Sequence, residues 1–383
     1  YLQAGRGLPG KQEGGEAQLG GSVTLFAEGV LRNMVKANVA SMYPSLIRHE
    51  RIAPESDPLG VFLHLMDHLT GLRLEHKAAA RRGDPGEHDA LQGAMKLVIN
   101  SAYGLMGAGR MSLFGDVTAA GTVTRRGRET LKEVTGALHA RGVTLIEADT
   151  DGVYFSVPEG WGEAEERAVI SQVDALLPAG VTLEFDGRWA AMLSHETKNY
   201  ALLGYDGTLE LKGAAFTSSR GERYGQAFLE QALRCLLAGE IERIPQVYRA
   251  VVERLEVGGY SNADVGSRVK VNKTQDEYLQ TRGARQEAVY ESLLRSGRTW
   301  RNGERFTLYQ QAGTGLTVLE DPEGCNYDAS FYVQQLLSGY ASRLKKGLSY
   351  PDFQQLFAQE QGGLFDVPVT QMRAVWRSVQ APA

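Results

Sequence analysis

The sequence predicts an α+β fold, because helical and strand-like patterns occur in separate blocks along the chain. Apolar residues recur at helical spacing in two neighbouring segments before residue 106. Two β-rich runs then flank a short acidic turn at residues 149–152, which is typical of a β-hairpin. From Gly221 onward the pattern is mostly helical, which indicates a second block.

Length and composition are those of a globular protein with two or three lobes, with 383 residues, 43% hydrophobic and 23% charged. No apolar run approaches the ~20 residues of a membrane span, so we expect no membrane partner. Because the chain starts at Tyr1 and not at Met, we expect it to be a piece of a longer protein. Its two cysteines, Cys235 and Cys325, predict a reducing, cytoplasmic location without a disulfide framework.

A net charge of −5 excludes a protein coated with positive charge, but nucleic-acid binding needs only a local basic stripe. Such stretches occur at residues 125–128, 295–305 and 343–346. Each of them is either a solvated face or a contact with nucleic acid.

The first elements are a loop, an apolar strand-like run and a pair of helices. Residues 1–21 are rich in Gly, Gln and Glu and predict a loop. Residues 37–48 have the pattern of a buried strand that Tyr43-Pro44 interrupts. Helices are predicted over 58–81 and from about Ala90 to Leu105, and the short polar connection between them favours an antiparallel hairpin.

The remaining elements follow from the same periodicities. A helix over 128–141 ends at Gly142, and a β-hairpin carries Asp149 and Asp151 at its tip. Further along, the patterns predict a helix over 163–177, strands around 181–187, 198–203 and 208–213, and a mixed segment near 305–319.

Two groups of polar residues are candidates for a functional site. Asp149 and Asp151 can converge on one hard cation such as Mg²⁺, or they are an acidic turn without a ligand. On the predicted helix pair, Arg73 and Lys77 are four residues apart, as are Lys96 and Asn100. These four side chains either clamp a polyphosphate or form plain surface pairs.

Four segments resemble the motifs of family B DNA polymerases, in the family's order and rough spacing, from about Gly20 onward. The family's motifs are D-x-x-S-L-Y-P-S, K-x-x-x-N-S-x-Y-G, D-T-D and K-x-Y. The similar segments here are NVASMYPS, KLVINSAYG, ADTDG and TKNYALL. The later segment YDASFYVQQLLSGYASRL resembles the end of the family's thumb.

The resemblance implies a right-hand polymerase architecture, with an antiparallel sheet in the palm, a helical hairpin as fingers and a mostly helical thumb. The palm would hold a loop at residues 38–45. The implied divisions are residues 1–57 for a lead-in and the first part of the palm, 58–106 for the fingers, 107–220 for the palm and 221–383 for the thumb.

The implied activity is that of a DNA-directed DNA polymerase, which transfers deoxynucleotides to a primer 3′-hydroxyl by two-metal phosphoryl transfer. The resemblance implies two Mg²⁺ ions, with Mn²⁺ as an alternative. Its implied partners are primer–template DNA, deoxynucleoside triphosphates, and a proofreading exonuclease as an upstream domain or a separate chain.

The resemblance also implies a role for individual residues. Asp151, Asp149 and Asn38 would occupy the metal-ligand positions, with Lys96 as a further catalytic residue. The triphosphate would be bound by Arg73, Lys77, Lys96, Asn100 and backbone amides near Ser41 and Met42.

Aromatic and basic residues complete the implied site. Tyr43 would lie beneath the sugar of the incoming nucleotide and exclude a 2′-hydroxyl, unless it is a core tyrosine beside a proline. Tyr103 would pack near the nascent base pair. Lys198, Tyr200 and Lys212 would contact the primer backbone without recognising its sequence.

Departures from the family's motifs leave two hypotheses open. Asn38 replaces the aspartate that bridges the two metals in the family, and an amide supplies no charge. Glu147, Ala148 and Gly152 depart from the pattern around D-T-D. The chain is therefore either a polymerase slowed by Asn38, or a catalytically degenerate polymerase-fold protein that binds primer–template DNA or a partner.

Overall fold

Two units make up the chain in this computed structural model, which describes residues 1–8, 20–82, 86–358 and 368–381. The first unit comprises Tyr1–Phe26, Asn33–Arg188 and Val379–Ala383, and the second comprises Ala27–Arg32 and Trp189–Ser378.

The first unit combines antiparallel strands with long helices. After a short 3₁₀ turn at Leu2–Ala4, its elements are β1 (Val23–Leu25), the later part of β2 (Ala27–Val39), α1 (Met42–His49), α2 (Val61–Arg81), α3 (Gly86–Gly107), a 3₁₀ turn at Gly109–Met111, α4 (Val117–His139), β3 (Thr144–Asp149), β4 (Gly152–Ser156), α5 (Glu163–Asp174) and the start of β5 (Leu183–Glu196).

Helices α4 and α5 cover one face of the sheet of this unit. Its strands follow the order β1-β3-β4-β2-β5. Val35 and Phe155 point into a core that includes Leu131 of α4 and Ile170 of α5. Because side chains alternate along a strand, the residues next to Val35, such as Lys36, point to the opposite face. That face carries the polar groups of the candidate site.

Helices α2 and α3 form an antiparallel hairpin. Phe62, near the start of α2, shares a core cluster with Met106, near the end of α3. At the other end of the pair, His76 of α2 contacts His88 of α3, with 2.7 Å between their Nδ1 atoms. No helix among the described residues is long and apolar enough to cross a membrane.

The second unit is mostly helical with two groups of strands. Its elements after β5 are β6 (Asn199–Leu203), β7 (Leu209–Lys212), α6 (Arg223–Ala238), a 3₁₀ turn at Ile241–Arg243, α7 (Ile244–Glu256), α8 (Asn262–Val265), β8 (Ser267–Lys270), α9 (Gln275–Thr281), α10 (Ala288–Arg295), β9 (Arg305–Gln311), β10 (Gly315–Val318), α11 (Ala329–Gln335), a π turn at Leu336–Tyr340, 3₁₀ segments at Ala341–Gly347 and Val369–Gln371, α12 (Tyr350–Leu356) and β11 (Trp376–Ser378).

Aromatic side chains organise the main core of the second unit. Tyr224 of α6 makes edge contacts with the rings of Tyr332 and Tyr340, and its hydroxyl donates to the Tyr332 carbonyl at 3.0 Å. A separate cluster around Tyr278 and Trp300 packs near the three-stranded sheet β10-β9-β8. A buried tyrosine hydroxyl needs a hydrogen-bond partner, which is the Tyr332 carbonyl for Tyr224 and the Glu291 carboxylate for Tyr278.

The predicted fold class is confirmed, with an antiparallel sheet, a helical hairpin and a mostly helical second half. The predicted hairpin around residues 149–152 and the predicted helix from 163 are present. The mixed segment near 305–319 forms β9 and β10, and β8 is an additional strand that the sequence pattern did not reveal. The strand predicted at 181–187 continues to Glu196.

Residues 37–48 differ from the strand and the loop that were expected. Strand β2 ends at Val39, and α1 begins at Met42 after Ser41, whose φ is 48°. A left-handed residue cannot continue a strand, so the chain turns here. Pro44 then lies in the first helical turn, where a proline is tolerated because its missing N–H would have no helical partner.

Two helices begin earlier than the sequence pattern predicts. Part of the predicted N-terminal loop lies outside the described residues. Helix α3 begins at Gly86 and not at Ala90, and α4 begins at Val117, well before residue 128. The first half of α4 is rich in Thr, Val and Gly, which have low helix propensity. Within the loop expected at 1–21, residues 9–19 are not described.

Asp116 is the reason that α4 can begin in this weak segment. Its carboxylate accepts from the Ala119 N–H at 2.9 Å as an N-cap and from the Glu55 N–H at 3.0 Å. We expect Asp116→Ala to lower the free energy of unfolding by about 1–2 kcal/mol, because it removes the cap. Asp116→Asn keeps an oxygen acceptor and serves as the control. Equal loss in both variants, measured by urea denaturation, would assign the effect to charge and not to capping.

Candidate functional site

A polar cavity of about 720 Å³ in the first unit brings most of the candidate residues together. It is bounded by the end of β2, by α1, α2 and α3, by the β3–β4 turn and by the start of β5. The predicted site residues among its lining are Asn38, Ser41, Met42, Tyr43, Arg73, Lys77, Lys96, Asn100 and Asp151.

Three neighbouring strands align Asn38 with Asp149. The register pairs Asn38 with Gly152 of β4, and Gly152 with Asp149 of β3. Residues that are directly paired across an antiparallel sheet lie on the same face. A Cβ at Gly152 would lie 3.1 Å from Oδ1 of Asn38, so the absence of a side chain keeps this space open.

Asp151 is held by the turn between β3 and β4. Its carbonyl accepts from the Val39 N–H at 2.7 Å, which fixes the turn against the end of β2. Thr150 has a left-handed φ of 58°, and its hydroxyl donates to Oδ1 of Asp149 at 3.1 Å. Burial raises the pKa of Asp151 above its ordinary value, while the ammonium groups of Lys36 and Lys96 act in the opposite direction.

The basic residues of the helical hairpin face the same cavity. Nη1 of Arg73 donates to Oγ of Ser41 at 2.8 Å, while its Nε is buried without a hydrogen-bond partner in the described residues. Lys77 lies 3.4 Å from Oε1 of Glu184, and Lys96 is exposed one turn before Asn100. An arginine with an unused buried donor is suited to an anionic oxygen.

Tyr43 is fixed between a ring and a helix backbone. Its ring centroid lies 4.6 Å from that of Tyr103, which contacts Tyr43 without lining the cavity itself. A Cβ at Gly127 of α4 would lie 2.8 Å from Cε1 of Tyr43, and one at Gly21 would lie 3.0 Å from its hydroxyl. Burial raises the pKa of both tyrosine hydroxyls, so both stay neutral at physiological pH.

Several charged residues at the site were missed by sequence reasoning. Glu184 and Asp186 of β5 line the cavity, as does Arg48 of α1. Lys36 of β2 forms an ion pair with Asp186, with 2.6 Å between Nζ and Oδ2. In the sequence, Glu184 and Asp186 are two residues apart, as are Lys36 and Asn38, so each pair is predicted to share one face of a strand. Only strand pairing brings the two pairs together.

Asp149, Asp151 and Asn38 are the residues that could hold a hard divalent cation. Asp149 and Asp151 supply carboxylates and Asn38 an amide oxygen, which are ligand types that Mg²⁺ and Mn²⁺ accept. No three His, Cys, Asp or Glu side chains form a metal-binding group within the described ranges. The amide of Asn38 is neutral, so Asn38 adds no negative charge to such a site.

The predicted primer-contacting residues lie in the second unit. Lys198 has a φ of 62° in the tight turn between β5 and β6. Tyr200 of β6 is directly paired with Lys212 of β7, so their side chains lie on one face. A Cβ at Gly213 would lie 2.1 Å from the Lys198 carbonyl oxygen, and glycine is therefore required for this close approach.

The chain is similar to archaeal polymerases over most of its length. It is 23% identical over 371 residues to DNA polymerase 1 of Pyrococcus abyssi (strain GE5 / Orsay), covering 88% of this chain and 48% of that protein. It is 23% identical over 377 residues to the DNA polymerase of Thermococcus sp. (strain 9oN-7), covering 89% and 48%. The chain thus spans about half the length of these relatives.

A solved structure and a family model agree with these similarities. The structure of the family B DNA polymerase from the hyperthermophilic archaeon Pyrobaculum calidifontis has a TM-score of 0.69 at 21% identity, covering 89% of this chain and 49% of that chain. The model of DNA polymerase family B matches residues 24–267, well over half of the 383 residues. Because the family model covers well over half of its residues, the chain belongs to DNA polymerase family B.

Proposed function

We propose that this chain is the polymerising part of a DNA-directed DNA polymerase, which adds deoxynucleotides to a primer on a template. The observation that carries the proposal is the cavity in which cations of α2 and α3 face the carboxylate of Asp151. Such an arrangement suits a nucleoside triphosphate, because the cations can bind its phosphates while the carboxylate lies near the position where the phosphoryl transfer takes place. The proposed partners are primer–template DNA and deoxynucleoside triphosphates, with the exonuclease as a further domain or chain.

The triphosphate would be held by the helical hairpin and the start of α1. Arg73, Lys77 and Lys96 supply positive charge, and Asn100 a neutral donor. The amides at the start of α1, near Met42, have no partner within the helix and add donors for phosphate oxygens. Three separate elements, α1, α2 and α3, therefore contribute, so binding fixes the triphosphate relative to Asp151.

The acidic side of the cavity would bind the divalent ion. When bound, such an ion neutralises charge that develops on the phosphates. Asp149 and Asp151 are the proposed anionic ligands, and Asn38 adds a neutral oxygen. The proposed divisions of the chain are residues 1–57 for a lead-in and the first part of the palm, 58–106 for the fingers, 107–220 for the palm and 221–383 for the thumb.

The remaining residues would position sugar and primer. Tyr43, fixed by Tyr103 and Gly127, is proposed to lie beneath the deoxyribose and leave no room for a 2′-hydroxyl. Lys198 and Lys212 are proposed to bind primer phosphates, with Tyr200 between them in the strand pair. Such contacts position the duplex and carry no sequence preference.

A second candidate function is binding without catalysis. It is favoured by Asn38, because loss of a shared anion weakens metal binding and leaves developing charge less neutralised. Removal of one preorganised electrostatic group typically costs roughly a hundred- to a thousand-fold in rate. A chain with this defect could still hold DNA and nucleotide.

The two functions are separated by Asn38→Asp. We expect this variant to raise primer extension with Mg²⁺ by at least about ten-fold, because it restores an anion where rate depends on charge. Its affinity for DNA should stay nearly unchanged. Extension is measured on a labelled primer–template with Mg²⁺ or Mn²⁺, and Asn38→Asp/Asp151→Asn is the control that should show no gain. Background activity in a folded, DNA-bound Asn38→Asp protein would favour binding without catalysis.

The role of Tyr43 is tested by sugar selection. Tyr43→Ala should raise the incorporation of ribonucleotides relative to deoxynucleotides, because it opens space beside the 2′ position. Single-nucleotide extension with each sugar gives the ratio. Tyr350→Ala removes a ring that is 75% exposed in the second unit and should leave the ratio unchanged. An unaltered ratio in Tyr43→Ala would remove Tyr43 from the nucleotide site.

The proposed primer contacts predict a salt-dependent affinity for duplex DNA. We expect log Kd to vary steeply with log salt, and Lys198→Gln and Lys212→Gln should each reduce the slope by about one. Glutamine is chosen to keep the side-chain length. Lys132→Gln, at an exposed position of α4, is the control. A DNA affinity that ignores salt, or slopes that the variants leave unchanged, would contradict the proposal.

A further inference from the structure

Lys36 places a fixed positive charge on the acidic face of the first unit. It precedes Asn38 by two residues in β2, so both side chains point to the same face of the sheet. Its Nζ lies 2.6 Å from Oδ2 of Asp186 and 5.5 Å from the centre of the Tyr154 ring. The Lys36 side chain is 26% exposed, which limits screening by solvent. The ammonium is held by the ion pair with Asp186 on one side and by the Tyr154 ring on the other.

The same ammonium is close to the groups that are proposed to bind a metal. A Cβ at Gly152 would lie 3.4 Å from Cε of Lys36 and 3.1 Å from Oδ1 of Asn38, so both side chains meet above this glycine. Burial raises the pKa of Asp151, which follows Thr150 in the turn before Gly152, and the Lys36 ammonium acts in the opposite direction. Lys36 thus interacts with acids on both sides of β2.

Strand pairing explains how the second acid reaches this place. Strands β2 and β5 are neighbours in the sheet, and just beyond the end of β2 and before the start of β5 the Ala40 N–H donates to the Thr182 carbonyl at 2.8 Å, as in an antiparallel pair. Counting back from this pair places Lys36 opposite Asp186, in agreement with their ion pair. Asp151 and Asp186 both line the cavity. A divalent ion that used these two carboxylates would have to displace the ammonium.

We propose that Lys36 is a resident cation of this site, which replaces part of the charge of a divalent ion and lets the cavity bind a nucleoside triphosphate without metal. The inference rests on the proposed function, because it assumes that the triphosphate occupies the cavity. Lys36 acts through Asp151 and Asp186, whose negative charge would otherwise repel the phosphates. Arg73 and Lys96 then bind the anion directly, so a metal is not needed to bring the triphosphate into the cavity.

The proposal predicts two linked effects of removing the charge. In the unaltered chain, the Kd for deoxyadenosine triphosphate should differ by less than about three-fold between EDTA and Mg²⁺, since metal supplies under about 1 kcal/mol of binding. In Lys36→Met, the Kd in EDTA should rise by at least about ten-fold, or about 1.4 kcal/mol, and excess Mg²⁺ should restore it. Without nucleotide, Lys36→Met should bind Mn²⁺ at least about ten-fold more tightly, because two carboxylates lose their competing cation.

The experiment uses isothermal titration for the nucleotide and electron paramagnetic resonance for free Mn²⁺. Lys36→Arg keeps the charge and should retain binding in EDTA, and Lys132→Met is the control for loss of a lysine at an exposed position that does not line the cavity. Circular dichroism checks that each variant is folded. If Lys36→Met does not fold, the comparison of EDTA with Mg²⁺ in the unaltered chain still decides the proposal.

The outcomes separate this inference from the proposed function. Nucleotide binding that requires metal in the unaltered chain overturns the role of Lys36 and leaves the nucleotide site intact. Absence of nucleotide binding under every condition overturns the proposed nucleotide site, and metal-independent nucleotide binding falls with it. In either case, an unchanged Mn²⁺ affinity in Lys36→Met shows that Lys36 does not compete with metal.

Discussion

The pairing of β2 with the β3–β4 hairpin is the constraint on which the rest of the site depends. The register of Asn38 with Gly152, and the bond from the Val39 N–H to the Asp151 carbonyl, fix where the hairpin turn meets the end of β2. Strand β2 cannot continue beyond this point because Ser41 adopts a left-handed conformation. Helix α1 therefore starts beside the acids, and it carries Tyr43 into contact with Tyr103 and Gly127.

Charge is distributed across the cavity in a way that follows from this arrangement. Acids come from the sheet, namely Asp151 in the β3–β4 turn and Glu184 and Asp186 in β5, whereas Arg73 and Lys96 come from the helices. Side chains two residues apart on a strand lie on one face, as do side chains four residues apart on a helix. The charges of each element therefore point to the same side. Ion pairs from Lys36 to Asp186 and from Lys77 to Glu184 then balance part of the negative charge on β5.

Asn38 and Lys36 set the balance between acidic groups and protein cations on this face. The Asn38 amide carries no negative charge, and Lys36, two residues earlier, places a positive charge on the same face. Both residues give the site less attraction for a divalent ion than carboxylates at these positions would. Family membership and catalytic competence are therefore separate questions for this chain, because the fold depends on apolar positions such as Val35 and Phe155.

The sequence by itself determined the fold class, the helical hairpin and the acidic turn, because these follow from local periodicity and turn chemistry. Spacing of four residues was enough to pair Arg73 with Lys77 and Lys96 with Asn100. Only the tertiary structure decided that α4 begins at Val117, because the capping carboxylate of Asp116 is also held by the N–H of Glu55, which is distant in the sequence. It also brought Lys36 to Asp186, two residues 150 positions apart in the sequence, since pairing between distant strands sets register and local patterns do not contain it.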